Sequence, residues 1–221
     1  MGAAGLIESF GELPAGIDAE LVRADELALL ERDADGYLTT AELERRAGFR
    51  SDRRRRTFTL GRVAARSLLS RRLGRSPSQI ELVVAADGAV DVGGCGLHLS
   101  ISHTDEAALA VVSETPVGVD IEPLRQRVDD LFAYVLHPDE YPTLHDADDP
   151  NSVALRAWVV KESVLKGMRL GLRHSPKDIR LTFESSGSGR ARLSDGVEWR
   201  FRQVERDGLV AALAYGRVDP G

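Results

Sequence analysis

The sequence predicts an α+β protein built from two similar halves, each a helical region followed by antiparallel strands. Apolar residues at helical spacing precede short runs of β-branched residues, and this order occurs twice in 221 residues. Aspartate-glycine pairs separate many of the runs, as is typical of antiparallel sheets. The repeat lies in the order of elements, not in residue identity. We therefore expect an N-terminal half over residues 1–115 and a C-terminal half over residues 116–221.

The first half begins with helices. Apolar and charged residues alternate at helical spacing over residues 15–48 and predict two short helices interrupted at Asp35-Gly36. The clearest helix runs from Phe58 to Leu73, with Gly74 as its stop. A strand is expected around Ile80–Ala85, then a turn at Asp87-Gly88. A three-stranded meander follows at Leu97–Ile101, Ala107–Ser113 and Val117–Glu122.

The second half repeats this order. Helices are predicted at Leu124–Leu136 and Ser152–Lys166. Four strands joined by glycine-containing turns are predicted after them, at Ile179–Glu184, Gly189–Leu193, Glu198–Glu205 and Leu209–Tyr215.

Composition narrows the class of protein. The chain is 43% hydrophobic and 29% charged, and no apolar run is long enough to cross a bilayer. The first residues lack the basic segment of a signal peptide, so we expect a cytoplasmic protein without membrane contact. A single cysteine excludes an internal disulfide and a thiolate zinc cluster.

Charge is distributed unevenly along the chain. The formal net charge is −6, yet residues 50–75 contain ten arginines and one acid, Asp52. Such a stripe in an acidic protein indicates a specific anionic ligand rather than general affinity for nucleic acid. For any single arginine here, a solvated helix face is the simpler interpretation.

Two acidic segments carry the strongest chemical signal. In Gly118-Val119-Asp120-Ile121-Glu122, both carboxylates project from the same face of a predicted strand. In the predicted helix that follows, Glu162 and Lys166 stand four residues apart and share a face. Three carboxylates and one ammonium at one place would suit Mg²⁺ bound to the phosphates of a substrate. The pattern therefore predicts metal-assisted chemistry on a phosphate ester.

Each part of this signal has a simpler interpretation. Asp120 and Glu122 could lie on an exposed strand face, although like charges two residues apart repel each other. Glu162 and Lys166 could form a surface helix pair worth about 0.3–0.5 kcal/mol. Against that, the chain has only three lysines, and two of them, Lys161 and Lys166, lie in this segment. A retained lysine indicates a need for a compact ammonium or a transferable proton.

Four motifs in order resemble the two-domain 4′-phosphopantetheinyl transferases, the type that activates surfactin and enterobactin synthetases. They are Arg-x-x-x-Phe-x-x-Gly-Arg-x-x-Ala-Arg (residues 54–66), Ser-Ile-Ser-His (100–103), Gly-Val-Asp-Ile-Glu (118–122) and Trp-x-x-Lys-Glu-Ser-x-x-Lys (158–166). The resemblance implies a pseudo-dimeric fold with the active site in the cleft between the two halves. It also implies transfer of 4′-phosphopantetheine from coenzyme A to a serine of an apo acyl or peptidyl carrier protein, with release of 3′,5′-ADP.

The resemblance also implies a set of site residues. Asp120, Glu122 and Glu162 would hold Mg²⁺, with Mn²⁺ as an alternative ion. Glu162 would accept the serine proton, and Lys166 would stabilise the pyrophosphate or protonate the leaving group. The nucleotide end of coenzyme A would be bound by the remaining members of the set: Arg54, Arg55, Arg62, Ser102 and His103.

The resemblance has one gap. Many relatives have a Gly-Lys/Glu-Pro turn before the Ser-x-Ser-His strand, and the corresponding segment here, residues 87–91, lacks both the charged residue and the proline.

The implied partner is a carrier protein of fatty acid, polyketide or nonribosomal peptide biosynthesis, and the enzyme would act as a monomer. The carrier would dock on residues 124–144, where Leu131, Phe132, Val135, Leu136 and Tyr141 supply apolar groups and Arg125 and Arg127 supply charge. Core packing is the simpler interpretation for most of the apolar residues.

Two other functions are compatible with the sequence. The first is a coenzyme A-binding protein of the same fold that transfers poorly. The missing Gly-Lys/Glu-Pro turn is compatible with it, but the intact set of Asp120, Glu122, Glu162 and Lys166 argues against it. A nucleic-acid-binding module would use the arginine stripe, but 5% aromatic residues and the net negative charge argue against that.

Overall fold

The fold consists of two compact units. The computed structural model describes residues 4–29, 34–85, 88–128, 131–169, 174–185 and 187–218. The chain divides into Met1–Glu114 and Thr115–Gly221. In each unit a long helix packs against an antiparallel sheet, which confirms the predicted α+β class with two similar halves.

The described part of the first unit contains three short α-helices and one long one. The α-helices are α1 (Ala4–Ser9), α2 (Ala24–Leu29), α3 (Thr40–Ala47) and α4 (Asp52–Leu73). A 3₁₀ turn at Ala34–Tyr37 lies at the predicted interruption. Helix α4 begins earlier than the sequence predicted because the Ser51 side chain accepts a hydrogen bond from Arg54 N and so caps it. It ends as predicted at Gly74, which adopts the left-handed conformation with φ 63°.

Strands of the first unit form a three-stranded sheet and a separate hairpin. The strands are β1 (Asp18–Arg23), β2 (Leu82–Val84), β3 (Val90–Val92), β4 (His98–His103) and β5 (Ala107–Ser113). The sheet has the order β1-β5-β4, and β2 pairs with β3. Asp87, in the turn predicted before β3, lies outside the described residues.

Strand β1 corrects the sequence prediction of a purely helical segment over residues 15–48. The segment Asp18–Arg23 pairs antiparallel with β5, with Leu21 opposite Leu109. Both Leu21 and Val22 are buried, so both faces of the strand are covered. Pairing with the distant strand β5 determines the structure of this segment more strongly than the helical spacing of its leucines. The local sequence pattern carries no information about that distant partner.

The second unit contains a five-stranded sheet and one long helix. Its strands are β6 (Gly118–Pro123), β7 (Ile179–Ser185), β8 (Ser188–Leu193), β9 (Glu198–Arg206) and β10 (Leu209–Val218), in the order β6-β10-β9-β8-β7. Its helices are α5 (Phe132–Val135), α6 (Tyr141–His145) and α7 (Pro150–Met168). The four strands predicted at the end of the chain and the helix before them are therefore present.

The predicted three-stranded meander is wrong. Strands β4 and β5 pair, but β5 pairs on its other side with β1, while β6 joins the second sheet beside β10. Both edges of β5 are thus occupied, and the chain passes through Pro116 into the second unit. Proximity in sequence predicted a hairpin between β5 and β6. In the structure, β1 pairs with β5 in place of β6.

The predicted helix at Leu124–Leu136 is also largely wrong, since among the described residues of this range only Phe132–Val135 form an α-helix. Residues 129 and 130 lie outside the described residues. The buried Asn151 side chain accepts a hydrogen bond from Val128 N at 2.8 Å and donates one to Gln126 O at 3.0 Å. These backbone groups are therefore satisfied by a side chain of α7 rather than by a helix of their own.

Each unit has its own hydrophobic core. In the first, Leu60, Leu68 and Leu69 of α4 pack with Ala108 and Val112 of β5. In the second, the core joins α7 to strands β9 and β10 through Val160, Val164, Trp199, Phe201 and Ala212. Among the residues that the structure describes, no helix is long and apolar enough to cross a membrane.

Candidate active site

Strand β6 presents two carboxylates to helix α7. Asp120 and Glu122 lie opposite Ala212 and Val210 of β10, and both of these belong to the core that α7 completes. The neighbours Val119 and Ile121 are buried on the opposite face. Asp120 is itself only 3% exposed, so the simpler interpretation of an exposed strand face does not apply to it.

Helix α7 adds the third carboxylate and the ammonium. Lys166 Nζ donates a hydrogen bond to Asp120 Oδ1 at 2.6 Å, which joins the helix to the strand. Glu162, one turn earlier, interacts electrostatically with Asp120 and Lys166. Asp120, Glu122, Glu162 and Lys166, which we call the carboxylate cluster, are thus brought together within the second unit.

Two glycines explain how the helix comes so close to the strand. A Cβ on Gly118 would lie 1.9 Å from Ser163 O and 2.4 Å from Gly167 N. A Cβ on Gly167 would lie 2.8 Å from the Trp199 ring. Because glycine has no side chain, the backbones of β6 and α7 can approach directly at these two positions.

Burial and mutual repulsion raise the pKa values of two of the carboxylates. Burial raises the pKa of Glu122 to about 7, with Asp120 and Glu162 adding repulsion, while Lys166 and a hydrogen bond from Trp158 act in the opposite direction. Burial and the charge of Asp120 likewise raise the pKa of Glu162, and Lys166 opposes them. The cluster therefore holds more negative charge than Lys166 alone compensates.

The donor set fits a divalent cation in its chemistry. Glu162 Oε1 is buried and makes no hydrogen bond within the described residues. Carboxylate oxygens are the preferred ligands of Mg²⁺, and a cation would relieve the repulsion that raises both pKa values. Within the same described ranges, no three acidic, histidine or cysteine side chains are already arranged around one metal position. In this arrangement the ammonium of Lys166 balances the negative charge of Asp120.

Trp158 lies beside the carboxylate cluster, and the sequence motif assigned it no role. Hydrogen bonding from its side chain is one of the influences that lower the pKa of Glu122, and its ring lies 6.4 Å from that of Tyr134. Trp158 precedes Glu162 by four residues and so shares its face of α7. That spacing was the signal available in the sequence.

The second lysine of the motif is structural. Lys161 is fully buried, and its Nζ donates to Glu140 Oε2 at 2.6 Å and to Val135 O at 2.8 Å. Glu140 also accepts hydrogen bonds from His137 N and Leu181 N. Lys161 therefore anchors the segment before α6 to α7, and the prediction of a chemical role from lysine retention applies to Lys166 alone.

Three of the five predicted nucleotide-binding residues of the first unit line two cavities that share His103. One, of about 290 Å³, is lined by Arg62 and His103 together with Arg45, Phe58 and apolar side chains of β3 and β4. The other, of about 410 Å³, is lined by Arg54, Arg53 and His103. His103 thus lines both cavities. Gly61 of α4 also faces His103, and a Cβ there would lie at an ordinary contact distance of 3.6 Å from its ring.

Two predicted residues of this set do not line either cavity. Ser102 is buried on the opposite face of β4 from His103. Arg55 bonds Asp52 at 2.5 Å and the carbonyl of Phe49, which holds it at the start of α4. Their part in binding coenzyme A stays a prediction.

Comparison with known proteins identifies the family whose members resemble this chain. A model of the 4′-phosphopantetheinyl transferase superfamily matches residues 116–214, and a model of the 4′-phosphopantetheinyl transferase N-terminal domain matches residues 37–113. The 4′-phosphopantetheinyl transferase HetI of Nostoc sp. (strain PCC 7120) is 31% identical over 194 residues, covering 83% of this chain and 80% of that protein.

The chain belongs to the 4′-phosphopantetheinyl transferase superfamily. The sequence-based prediction of the family and of its transferase activity is thereby confirmed.

Further relatives of this transferase match shorter segments. Enterobactin synthase component D of Escherichia coli O157:H7 is 40% identical over 74 residues, which are 32% of this chain and 36% of that protein. A holo-(acyl-carrier-protein) synthase from Bacillus anthracis str. Ames, solved in complex with CoA (3′,5′-ADP), is 27% identical. It covers 44% of the transferase chain and 92% of its own, with a TM-score of 0.39.

Proposed function

We propose that this transferase moves 4′-phosphopantetheine from coenzyme A to a serine of an apo acyl or peptidyl carrier protein. The carboxylate cluster is the observation that supports the proposal. Its three carboxylates and one ammonium match the chemistry that a pyrophosphate with a metal ion requires. We expect the protein to act as a monomer in the cytoplasm.

Asp120, Glu122 and Glu162 would hold Mg²⁺ or Mn²⁺. The bound ion supplies positive charge that offsets the charge on the pyrophosphate oxygens. Lys166, fixed by Asp120, supplies further positive charge beside the same oxygens.

The proposed reaction is one displacement at phosphorus. The serine oxygen of the carrier attacks the β-phosphorus of coenzyme A, and the bond from that phosphorus to the oxygen of 3′,5′-ADP breaks. Glu162 accepts the serine proton, directly or through water, and its Oε1 makes no hydrogen bond within the described residues that would compete. Lys166 is placed to protonate or stabilise the departing phosphate oxygen.

The nucleotide end of coenzyme A would be bound by Arg54, Arg62 and His103. The planar guanidinium groups suit phosphate oxygens, and the apolar wall of the smaller cavity suits an aromatic base. Ser102 and Arg55 complete the predicted set. The side chain of His103 is exposed and lines both the cavity of Arg54 and that of Arg62, so it would bind the nucleotide together with either arginine.

The carrier would dock on residues 124–144, and the structure separates the apolar residues there. Leu131 is 41% exposed, whereas Val135 and Leu136 are buried in the core, and Phe132 and Tyr141 pack against it. Leu131, together with exposed Leu124 and Tyr134, therefore remains as the apolar part of the proposed docking surface. Arg125 and Arg127 would contribute positive charge toward an acidic carrier.

The nucleotide product tests the proposed reaction directly. The transferase would be incubated with coenzyme A, an apo carrier and Mg²⁺, and the products separated by anion-exchange chromatography. We expect 3′,5′-ADP to appear only when carrier and metal are both present, and EDTA to abolish it. Release of 3′,5′-ADP without carrier would indicate hydrolysis, and no release with any carrier of a broad panel would contradict the proposal.

A further inference from the structure

Glu42 joins two buried arginines of helix α4 in a single ion-pair network. Arg62 is 8% exposed and Arg66 is 1% exposed, so both guanidinium groups need a partner inside the first unit. The Glu42 carboxylate supplies it for both: Oε1 lies 2.7 Å from Arg62 Nε, and Oε2 accepts a hydrogen bond from Arg66. We call these three residues the Glu42 network.

The network is anchored at two points away from the cavity. Arg66 also donates to the Ile80 carbonyl from Nε and Nη2, at 3.3 and 3.2 Å, which fixes its guanidinium. Glu42 in turn forms the capping box of α3, accepting from Thr39 N at 3.0 Å while Thr39 Oγ1 accepts from Glu42 N. The carboxylate is therefore held by its own helix and by Arg66.

Only Arg62 of the network faces the smaller cavity. It lines that cavity beside Arg45 and His103, and its guanidinium lies 5.0 Å from the centre of the Phe58 ring. The Arg62–Glu42 contact is an ion pair whose geometry is not that of a hydrogen bond from Nε. The buried Nε of Arg62 thus faces Glu42, and the Nη groups are the donors that would reach an anion in the cavity.

The charge of Glu42 does not cancel that of the arginines. Two guanidinium groups share one carboxylate, so the network keeps one net positive charge, and Arg45 adds another at the cavity. Although burial alone would raise the pKa of Glu42, the hydrogen bonds from Thr39 and Arg66 and the charges of both arginines lower it overall. Glu42 is ionised at neutral pH and relieves the repulsion between Arg62 and Arg66.

We propose that Glu42 is a positioning residue that holds Arg62 in the orientation needed to bind the phosphates of coenzyme A. The inference rests on the proposed function, because it requires that coenzyme A occupy the cavity lined by Arg62. Without Glu42, the two buried guanidinium groups repel each other, and Arg62 loses its ion pair at Nε. The affinity for coenzyme A then falls while the carboxylate cluster of the second unit is untouched.

Steady-state kinetics of Glu42→Gln and Arg62→Ala, alone and combined, test the proposal. Glutamine keeps the size of the side chain and its ability to cap α3, but it lacks the charge. We expect Glu42→Gln to raise KM for coenzyme A about tenfold and to leave kcat within about twofold, the signature of lost substrate binding. In the Arg62→Ala background the same change should have little further effect on KM, because the two residues act as a unit.

The matched control is Glu20→Gln. Glu20 also pairs with α4, through Ser67 and Arg71, and neither of these lines the cavity of Arg62 and His103. The KM of the Glu20→Gln variant for coenzyme A should stay at the wild-type value. Glu42→Asp serves as a second variant if Glu42→Gln does not fold, because it keeps the charge but shortens the reach to both arginines.

The outcomes separate this inference from the proposed function. If Arg62→Ala leaves KM for coenzyme A unchanged, coenzyme A does not use this cavity and the proposed function of Arg62 fails. If Arg62→Ala raises KM but Glu42→Gln only lowers the unfolding temperature, Glu42 is structural and the inference is wrong. An equal rise in KM on adding Glu42→Gln with and without Arg62 would also overturn it, since Glu42 would then act on another residue.

Discussion

At the residue scale, the chemistry depends on unequal environments around similar side chains. Lys161 and Lys166 lie five positions apart on one helix, yet one is fully buried against Glu140 and the other bonds Asp120 at the candidate active site. Burial raises the pKa values of both Glu122 and Glu162, but only for Glu122 does hydrogen bonding from Trp158 oppose the rise. Substitutions at these residues should therefore have separable effects.

The two lysines give the sharpest contrast. We expect Lys166→Arg to lose most transfer activity while keeping the unfolding free energy, because a planar guanidinium cannot replace the compact ammonium beside Asp120. Lys161→Met should lower the unfolding free energy by about 3 kcal/mol, since it leaves a buried carboxylate without its cation. Urea unfolding and the transfer assay on both variants measure these effects. Near-normal activity of Lys166→Arg would refute the role given to Lys166.

Glu122 should make the stability of the metal-free protein depend on pH. Its pKa of about 7 in the folded state exceeds the ordinary value of 4.5, so the folded protein binds the proton more tightly than the unfolded chain. Its contribution to the unfolding free energy is therefore present at low pH and declines as pH rises from about 4.5 to about 7.

Glu122→Gln isolates this contribution. Relative to wild type, the variant should gain about 1–2 kcal/mol of stability between about pH 5 and about pH 8, a value reduced for the partial exposure of Glu122. Urea unfolding in the presence of EDTA gives both free energies. A difference between the two proteins that does not change with pH would show that the Glu122 pKa is ordinary.

Trp158 should tune metal binding through Glu122. Trp158→Phe keeps an aromatic ring against Tyr134 but removes the indole donor. We expect the Mg²⁺ concentration for half-maximal activity to rise roughly tenfold, as is usual when an outer partner of a metal ligand is lost. Activity at saturating Mg²⁺ should remain. An unchanged Mg²⁺ dependence would mean that the hydrogen bond to Glu122 does not matter for binding the ion.

At the element scale, the site depends on the close approach of β6 and α7. Gly118 and Gly167 allow the two backbones to approach, which places Lys166 within hydrogen-bond distance of Asp120. On α4 a glycine has a different environment. Gly61 faces Ile101 and His103 at ordinary contact distances of 3.5 and 3.6 Å.

The same substitution should therefore have opposite effects in the two units. Gly118→Ala should lower the unfolding free energy by roughly 3 kcal/mol or more and abolish transfer, because its Cβ would overlap the backbone of α7. Gly61→Ala should raise the unfolding free energy by about 0.5–1 kcal/mol, the usual gain when alanine replaces glycine inside a helix. Thermal unfolding of both variants decides. A stable, active Gly118→Ala variant would contradict the described packing of β6 on α7.

The sequence predicted the elements whose signals are local and missed those set by distant partners. The alternation in residues 118–122 and the spacing of Glu162 and Lys166 predicted the carboxylate cluster, because each signal lies within one strand or helix. Strand β1 and the non-helical segment before α5 were not predicted, because β5 and Asn151, far along the chain, determine them. The close approach at Gly118 could not be predicted either, since it depends on a residue 49 positions away.

At the scale of the whole molecule, the arginine-rich segment and the carboxylate cluster lie in different units. The ten arginines of residues 50–75 belong to the first unit, and the carboxylate cluster belongs to the second. In the proposed reaction, the arginines would suit the nucleotide phosphates of coenzyme A, and a cation held by the carboxylate cluster would suit its pyrophosphate. The formal net charge of −6 does not reveal the arginine-rich segment.

Intact mass spectrometry of the carrier protein tests the central claim most directly. Apo acyl and peptidyl carrier proteins would be incubated with the transferase, coenzyme A and Mg²⁺, with EDTA, a carrier lacking the acceptor serine and Asp120→Ala as controls. The account predicts a mass gain of one phosphopantetheine group that disappears in all three controls. A gain that persists with Asp120→Ala or with EDTA, or no gain on any carrier despite measurable binding of coenzyme A, would contradict it.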